Sequence, residues 1–111
     1  PRSFSNNSND AAFVEFVRND PLQARILPTA WVGALAEWIS YIEQAKPSGR
    51  SPIIVQGDAD MTVDWHHNLN VLNDKFSQPR ILLLPEARHH LANEQTVMRE
   101  QYFQFLTEQL S

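Results

Sequence analysis

Two short, uninterrupted apolar runs, Ile53-Ile54-Val55 and Ile81-Leu82-Leu83-Leu84, constrain the fold of this chain more than any other feature. A strand with one wet face alternates polar and apolar residues. These runs do not alternate, which is the pattern of strands covered on both faces in a parallel sheet. Gly57 closes the first run, and Pro79-Arg80 leads into the second. Between them Trp65, Leu69, Leu72 and Phe76 recur at helical spacing, which predicts a helix over 64–76. Met98, Tyr102, Phe105, Leu106 and Leu110 predict a last helix over 94–110, with Asn93 as its cap. Strand–helix–strand–helix implies an α/β fold, with a parallel pair joined by a right-handed crossover. Two strands cannot shield their own faces, so this half is expected to need the remainder of a sheet.

The first half reads differently. Residues 1–9 are polar and rich in Asn and Ser, the composition of a flexible lead-in. Asn9 or Asp10 can cap a short helix with Phe13, Phe16 and Val17 on one side, which Asp20-Pro21 ends. Thr29 is the expected cap of a second helix. Its Trp31, Leu35, Trp38 and Ile42 form a stripe flanked by Val32 and Ile39, opposite Glu37, Ser40, Glu43 and Gln44. Such a stripe is expected to be buried on one face. Trp31, Trp38 and Phe16 read as core, with an aromatic lining for a ligand pocket as the alternative. The turn chemistry of Lys46-Pro47-Ser48-Gly49-Arg50 divides the chain into 1–50 and 51–111.

Composition narrows the function classes. A formal net charge of −4 offers no basic face to track phosphates, so a nucleic-acid partner is not expected. Without cysteine there are neither disulfides nor thiolate metal sites. No apolar run approaches the roughly 20 residues of a membrane-spanning helix. The chain opens Pro1-Arg2-Ser3, without Met or a signal-like stretch, which reads as a cut within a longer protein.

In open α/β sheets, reactive groups gather beyond the carboxyl ends of the strands. The first strand is followed by Asp58, Asp60 and Asp64, and the second by Glu86, Arg88, His89 and His90, with Glu94 beyond. A carboxylate on one such loop and a histidine on the next is what a serine hydrolase needs. The carboxylate fixes the imidazole tautomer and stabilises the imidazolium that forms when the histidine takes the nucleophile's proton. Simpler roles compete with this one. Asp58 reads as a solvated loop carboxylate, Asp64 as a helix cap that Thr62 can share, and Arg88 as a surface residue or a brace for a carboxylate. Adjacent helical residues point about 100° apart, so His66-His67 is not a metal-chelating pair.

The two loop segments resemble those of α/β-hydrolases of the lysophospholipase/monoacylglycerol-lipase type. The stretch from Ser51 through Gly57-Asp58-Ala59-Asp60-Met61-Thr62-Val63-Asp64 is similar to that family's strand–Gly–x–x–Asp–x–x–Val–Asp acid segment. Glu86-Ala87-Arg88-His89-His90-Leu91 with Glu94 is similar to its Gly-Ala-Arg-His-Glu-Leu…Glu segment. Asn19-Asp20-Pro21-Leu22 and the Trp31–Ile42 helix are similar to the return from the family's cap region. The resemblance covers residues 13–110, strongly at the two motifs and weakly over the first 50 residues.

It implies the C-terminal portion of an α/β-hydrolase fold: the end of the cap region and its return helix in 1–50, and the last two core strands with their helices in 51–111. It implies Asp60 as catalytic acid and His89 as catalytic base, with no metal or organic cofactor. The partners it implies are a lipid or small ester substrate and the remainder of the hydrolase chain. A cytoplasmic location, with peripheral membrane contact to reach lipids, is the matching expectation. Glu86 and His90 stand where the family has Gly and Glu, which makes His90 a rival to His89 and puts the backbone before them in question.

The nucleophile elbow, Gly-x-Ser-x-Gly, is absent, since Gly33, Gly49 and Gly57 are the only glycines. The oxyanion loop lies upstream of the elbow in this fold, so this segment alone is expected to be inactive. A non-catalytic α/β interaction module, or a hydrolase-derived binding domain, is the alternative. A hydrolase with an Asp nucleophile, as in epoxide hydrolases or dehalogenases, is the third reading.

Overall fold

The computed structural model describes Arg2 and residues 6–111, and the architecture is mixed α/β. Helix α1 spans Ala11–Asn19 and α2 spans Thr29–Gln44. Strand β1 (Ile53–Gly57), helix α3 (Trp65–Lys75) and strand β2 (Arg80–Leu84) follow. A single 3-10 turn, Leu91–Asn93, precedes the final helix α4, Thr96–Leu110. The two strands pair in parallel, with Ile53 opposite Arg80 and Gly57 opposite Leu84. Both apolar runs are therefore strands, in register so that their carboxyl ends lie side by side.

Local chemistry accounts for three helix boundaries. Asp10 accepts a hydrogen bond from the Phe13 amide at 3.1 Å and starts α1. Asp64 does the same for the His67 amide at 3.2 Å and starts α3. Asp20, the residue before Pro21, is extended at φ −66, ψ 116 and ends α1. Two expected caps are absent. Pro28 occupies the cap position of α2, and Thr29 is already the first helical residue. Proline's fixed φ suits a helix entrance, and no side chain caps this one. Asn93 ends the 3-10 turn instead of capping α4, which starts two residues beyond the expected position with Gln95 at its cap.

Helix α4 packs across both strands. The molecule is open: its radius of gyration is 15.9 Å, against about 13 Å for a compact domain of this length. Among the described residues only Leu84 and Ala87 are fully buried apolar side chains. Both lie at the carboxyl end of β2, so the driest part of the molecule is the part that carries the candidate site. Elsewhere burial falls short of the sequence expectation. The strands are half-buried, with Leu83 45% exposed. The α2 stripe is uncovered, with Trp31 54% and Trp38 55% exposed, and Phe16 on α1 is 65% exposed. These three aromatics are not core in this chain. Periodicity records which face of a helix is apolar, but covering that face takes a neighbouring element, and none of the described elements supplies it.

Candidate active site

Glycine at position 57 lets the two strand-end loops meet. A Cβ built there would lie 2.3 Å from the Ala87 carbonyl oxygen and 2.6 Å from that of Arg88, closer than any side chain tolerates. The contact is tied by backbone hydrogen bonds from Ala59 N–H to the Ala87 carbonyl (3.0 Å) and from Asp58 N–H to the Leu84 carbonyl (3.2 Å). Asp58, expected to be solvated, accepts the Glu86 amide at 2.7 Å through its side chain. It remains exposed, but it pins Glu86, whose φ of 63° lies in the left-handed region. Glu86 thus holds a conformation that glycine adopts without strain.

In this frame Asp60 and His89, 29 residues apart, come within hydrogen-bonding distance, with Nδ1 of His89 2.9 Å from Oδ2 of Asp60. The same oxygen accepts from Gln56 Nε2 at 3.2 Å. The other carboxylate oxygen accepts the Thr62 amide at 2.8 Å and the Val63 amide at 3.4 Å. Asp60 is 5% exposed. Burial pushes its carboxyl up, but the hydrogen bonds from His89, Thr62 and Gln56 and the charge of protonated His89 outweigh burial and hold it below the usual carboxylate range. An ionised Asp60 can only accept, so Nδ1 of His89 carries the hydrogen and donates it. Whenever the ring is neutral, Nε2 is left with its lone pair, on a side chain 37% exposed. That is a base oriented by a buried carboxylate and reachable from solvent.

His90 does not share this arrangement. Its ring packs against Phe13 at a centroid distance of 5.6 Å and stands edge-on to His89 at 5.5 Å. Burial and the neighbouring His89 charge push it below the ordinary histidine value, against the opposing pull of Asp60. The helical histidines lie elsewhere: His66 stacks on Trp65, and His67 Nε2 is 2.7 Å from Glu43. Thr62 does not cap α3, and its hydroxyl bonds to the Asn7 side chain instead.

Two features of the site were missed in the sequence. Residues 6–9, expected to be flexible, lie across both loops. Asn7 accepts the His90 amide through its carbonyl at 2.8 Å. Arg88 donates through Nε to the Asn9 side chain at 3.1 Å and through a terminal nitrogen to the Asn6 carbonyl at 3.0 Å. Arg88 thus braces this segment and no carboxylate. The rest of the expected lead-in, Pro1 and residues 3–5, lies outside the described residues. The second feature is Glu94, which is fully buried. The only sequence signal for it was its place in the histidine motif.

Comparison with protein-family models and with curated proteins returns no match to this chain.

Proposed function

We propose that the chain is the C-terminal part of a serine ester hydrolase of α/β-hydrolase fold, similar to lysophospholipases and monoacylglycerol lipases, and that it supplies the acid and the base. The reading rests on one observation: a buried, ionised Asp60 holds Nδ1 of His89 at 2.9 Å, just beyond the carboxyl ends of two adjacent parallel strands. The half-covered sheet and the bare α2 stripe agree with it, since both call for further elements of a larger core.

The attacking serine comes from outside this segment. Nε2 of His89 removes the serine proton as the hydroxyl attacks the ester carbonyl, then returns it to the departing alkoxide. Asp60 keeps the ring in the tautomer with the lone pair on Nε2 and stabilises the imidazolium between those steps. A second water-driven round, in which His89 deprotonates the water, releases the acid. Backbone amides outside the segment hold the oxyanion. No cofactor takes part in this chemistry. The substrate is a carboxylic ester of a lysophospholipid, a monoacylglycerol or a similar lipid, met in the cytoplasm or at a membrane surface. No helix among the described residues is long and apolar enough to cross a membrane.

The binding-module reading draws on the exposed aromatics of α2 and on the missing elbow. The test uses the polypeptide that carries this segment together with its upstream residues. Wild type is expected to react with a fluorophosphonate probe and to hydrolyse p-nitrophenyl butyrate. Asp60→Asn is expected to lower kcat by about 10⁴-fold with little loss of fold. Turnover like wild type in Asp60→Asn overturns the assignment, and no probe labelling in wild type favours the binding module.

A further inference from the structure

Glu94 is a fully buried carboxylate that the proposed chemistry does not use. Its surroundings tell what it does. Oε1 accepts from the Ser8 hydroxyl (2.9 Å), the Asn9 amide and the Gln95 amide (3.3 Å). Oε2 accepts from the Arg88 amide (2.9 Å) and the Asn9 side-chain amide (2.8 Å). Every one of these partners is a donor. Burial pushes the carboxyl up, yet the Arg88, Asn9 and Ser8 donors hold it below its ordinary range, so it stands ionised.

The donors come from two distant parts of the chain. Arg88 immediately precedes His89. Ser8 and Asn9 belong to the segment that lies over the same loop, where Asn9 also donates to the Glu86 carbonyl at 2.8 Å. Ser8, itself 3% exposed, shares its single hydroxyl hydrogen between Glu94 and the Asn93 carbonyl, 2.7 Å away, and accepts the Asp10 amide at 2.9 Å. One carboxylate therefore fixes the backbone before His89 and fastens residues 8 and 9 over it. Those residues need the anchor because their composition gives them no apolar one.

We propose that Glu94 is the positioning residue of the site: it clamps loop 85–90 to residues 8 and 9 and so keeps the His89 ring on Asp60. The inference rests on reading Asp60 and His89 as an acid–base pair, but its geometry does not depend on which ester is cleaved. The substitution Glu94→Gln isolates the effect. An amide nitrogen must replace one carboxylate oxygen, and on either side it confronts donors where an acceptor stood. Loop 85–90 or residues 8 and 9 must then detach.

The experiment is ¹⁵N NMR of the His89 ring, with amide hydrogen exchange at Asn9 and Arg88, in the wild-type protein and in Glu94→Gln. Wild type is expected to show a single tautomer with the hydrogen on Nδ1. Glu94→Gln is expected to show mixed tautomers and at least tenfold faster exchange at both amides, while α3 and α4 stay helical. A His89 signal unchanged from wild type overturns the inference. If Glu94→Gln does not fold, Ser8→Ala takes its place. That variant keeps the carboxylate and removes one donor, and unchanged exchange at Asn9 and Arg88 overturns the clamp. Wild type that itself lacks the Nδ1–H tautomer refutes the acid–base pair and with it this inference, an outcome distinct from failure of the clamp alone.

Discussion

Replacing Gly57 by Ala is the smallest change that should dismantle the site. The added methyl meets the Ala87 carbonyl oxygen at 2.3 Å and the carbon of the same group at 2.6 Å, where ordinary contact begins at 3.4 Å. The obstruction is backbone, so no side-chain rotation relieves it, and one loop must retreat by about an ångström. Such a retreat carries the hydrogen bonds from the Ala59 and Asp58 amides, now 3.0 and 3.2 Å, past the hydrogen-bonding limit. Overpacking of this kind costs about 1–3 kcal/mol, and each donor left unsatisfied at a buried contact adds about 1–3 kcal/mol. Asp58 is exposed and its amide can turn to water, so with the Ala59 donor alone the expected loss is about 2–6 kcal/mol, a large share of the whole stability of a small domain. Because Ala87 lies two residues before His89, the same movement should break the 2.9 Å bond to Asp60. Urea denaturation of wild type and variant, followed by circular dichroism, reads the stability, and ¹⁵N NMR reads the histidine tautomer. A shift below about 1 kcal/mol, with an unchanged His89 spectrum, would refute the claim that close approach of the loops builds the pair.

Gly33→Ala should act in the opposite sense, because nothing lies within 4 Å of the added methyl on α2. A gain of about 0.5–1 kcal/mol in helix stability should slow amide exchange along α2 roughly two- to fivefold, and faster exchange would contradict it. Glu86→Gly should stabilise, because it relieves a left-handed φ of 63°. The relief of about 1–2 kcal/mol is partly offset by unfolded-chain entropy of about 0.4–1 kcal/mol, and a urea midpoint below wild type would refute it. Acid should destabilise in two stages. His90 is depressed in the folded state, so the unfolded chain binds more protons and stability starts to fall below about pH 6.5. Asp60 and Glu94 are also depressed, so their contribution is intact above about pH 4.3 and is lost as pH drops through their folded values. Denaturation midpoints from pH 8 to 3 check this: His90→Gln should abolish the upper stage and leave the lower one.

The sequence by itself determined the order of elements and the two loops in which chemistry could sit. Strands, amphipathic helices and the aspartate caps at Asp10 and Asp64 are set by interactions within a few residues, and a local pattern records them faithfully. Asp60 and His89 were legible as candidates because each closely follows a strand end, and the motif resemblance separated them from Asp58 and His90. Tertiary structure alone decided the rest. The strain at Glu86 comes from loop packing against Asp58. The tying down of Ser8 and Asn9 over the loop and onto Glu94 comes from hydrogen bonds that span 77–86 positions, with no periodicity to announce them. The α2 stripe shows the converse limit. Its apolar face is written in the sequence, but burial is a property of a pair of surfaces, and the sequence of one surface states only its own half.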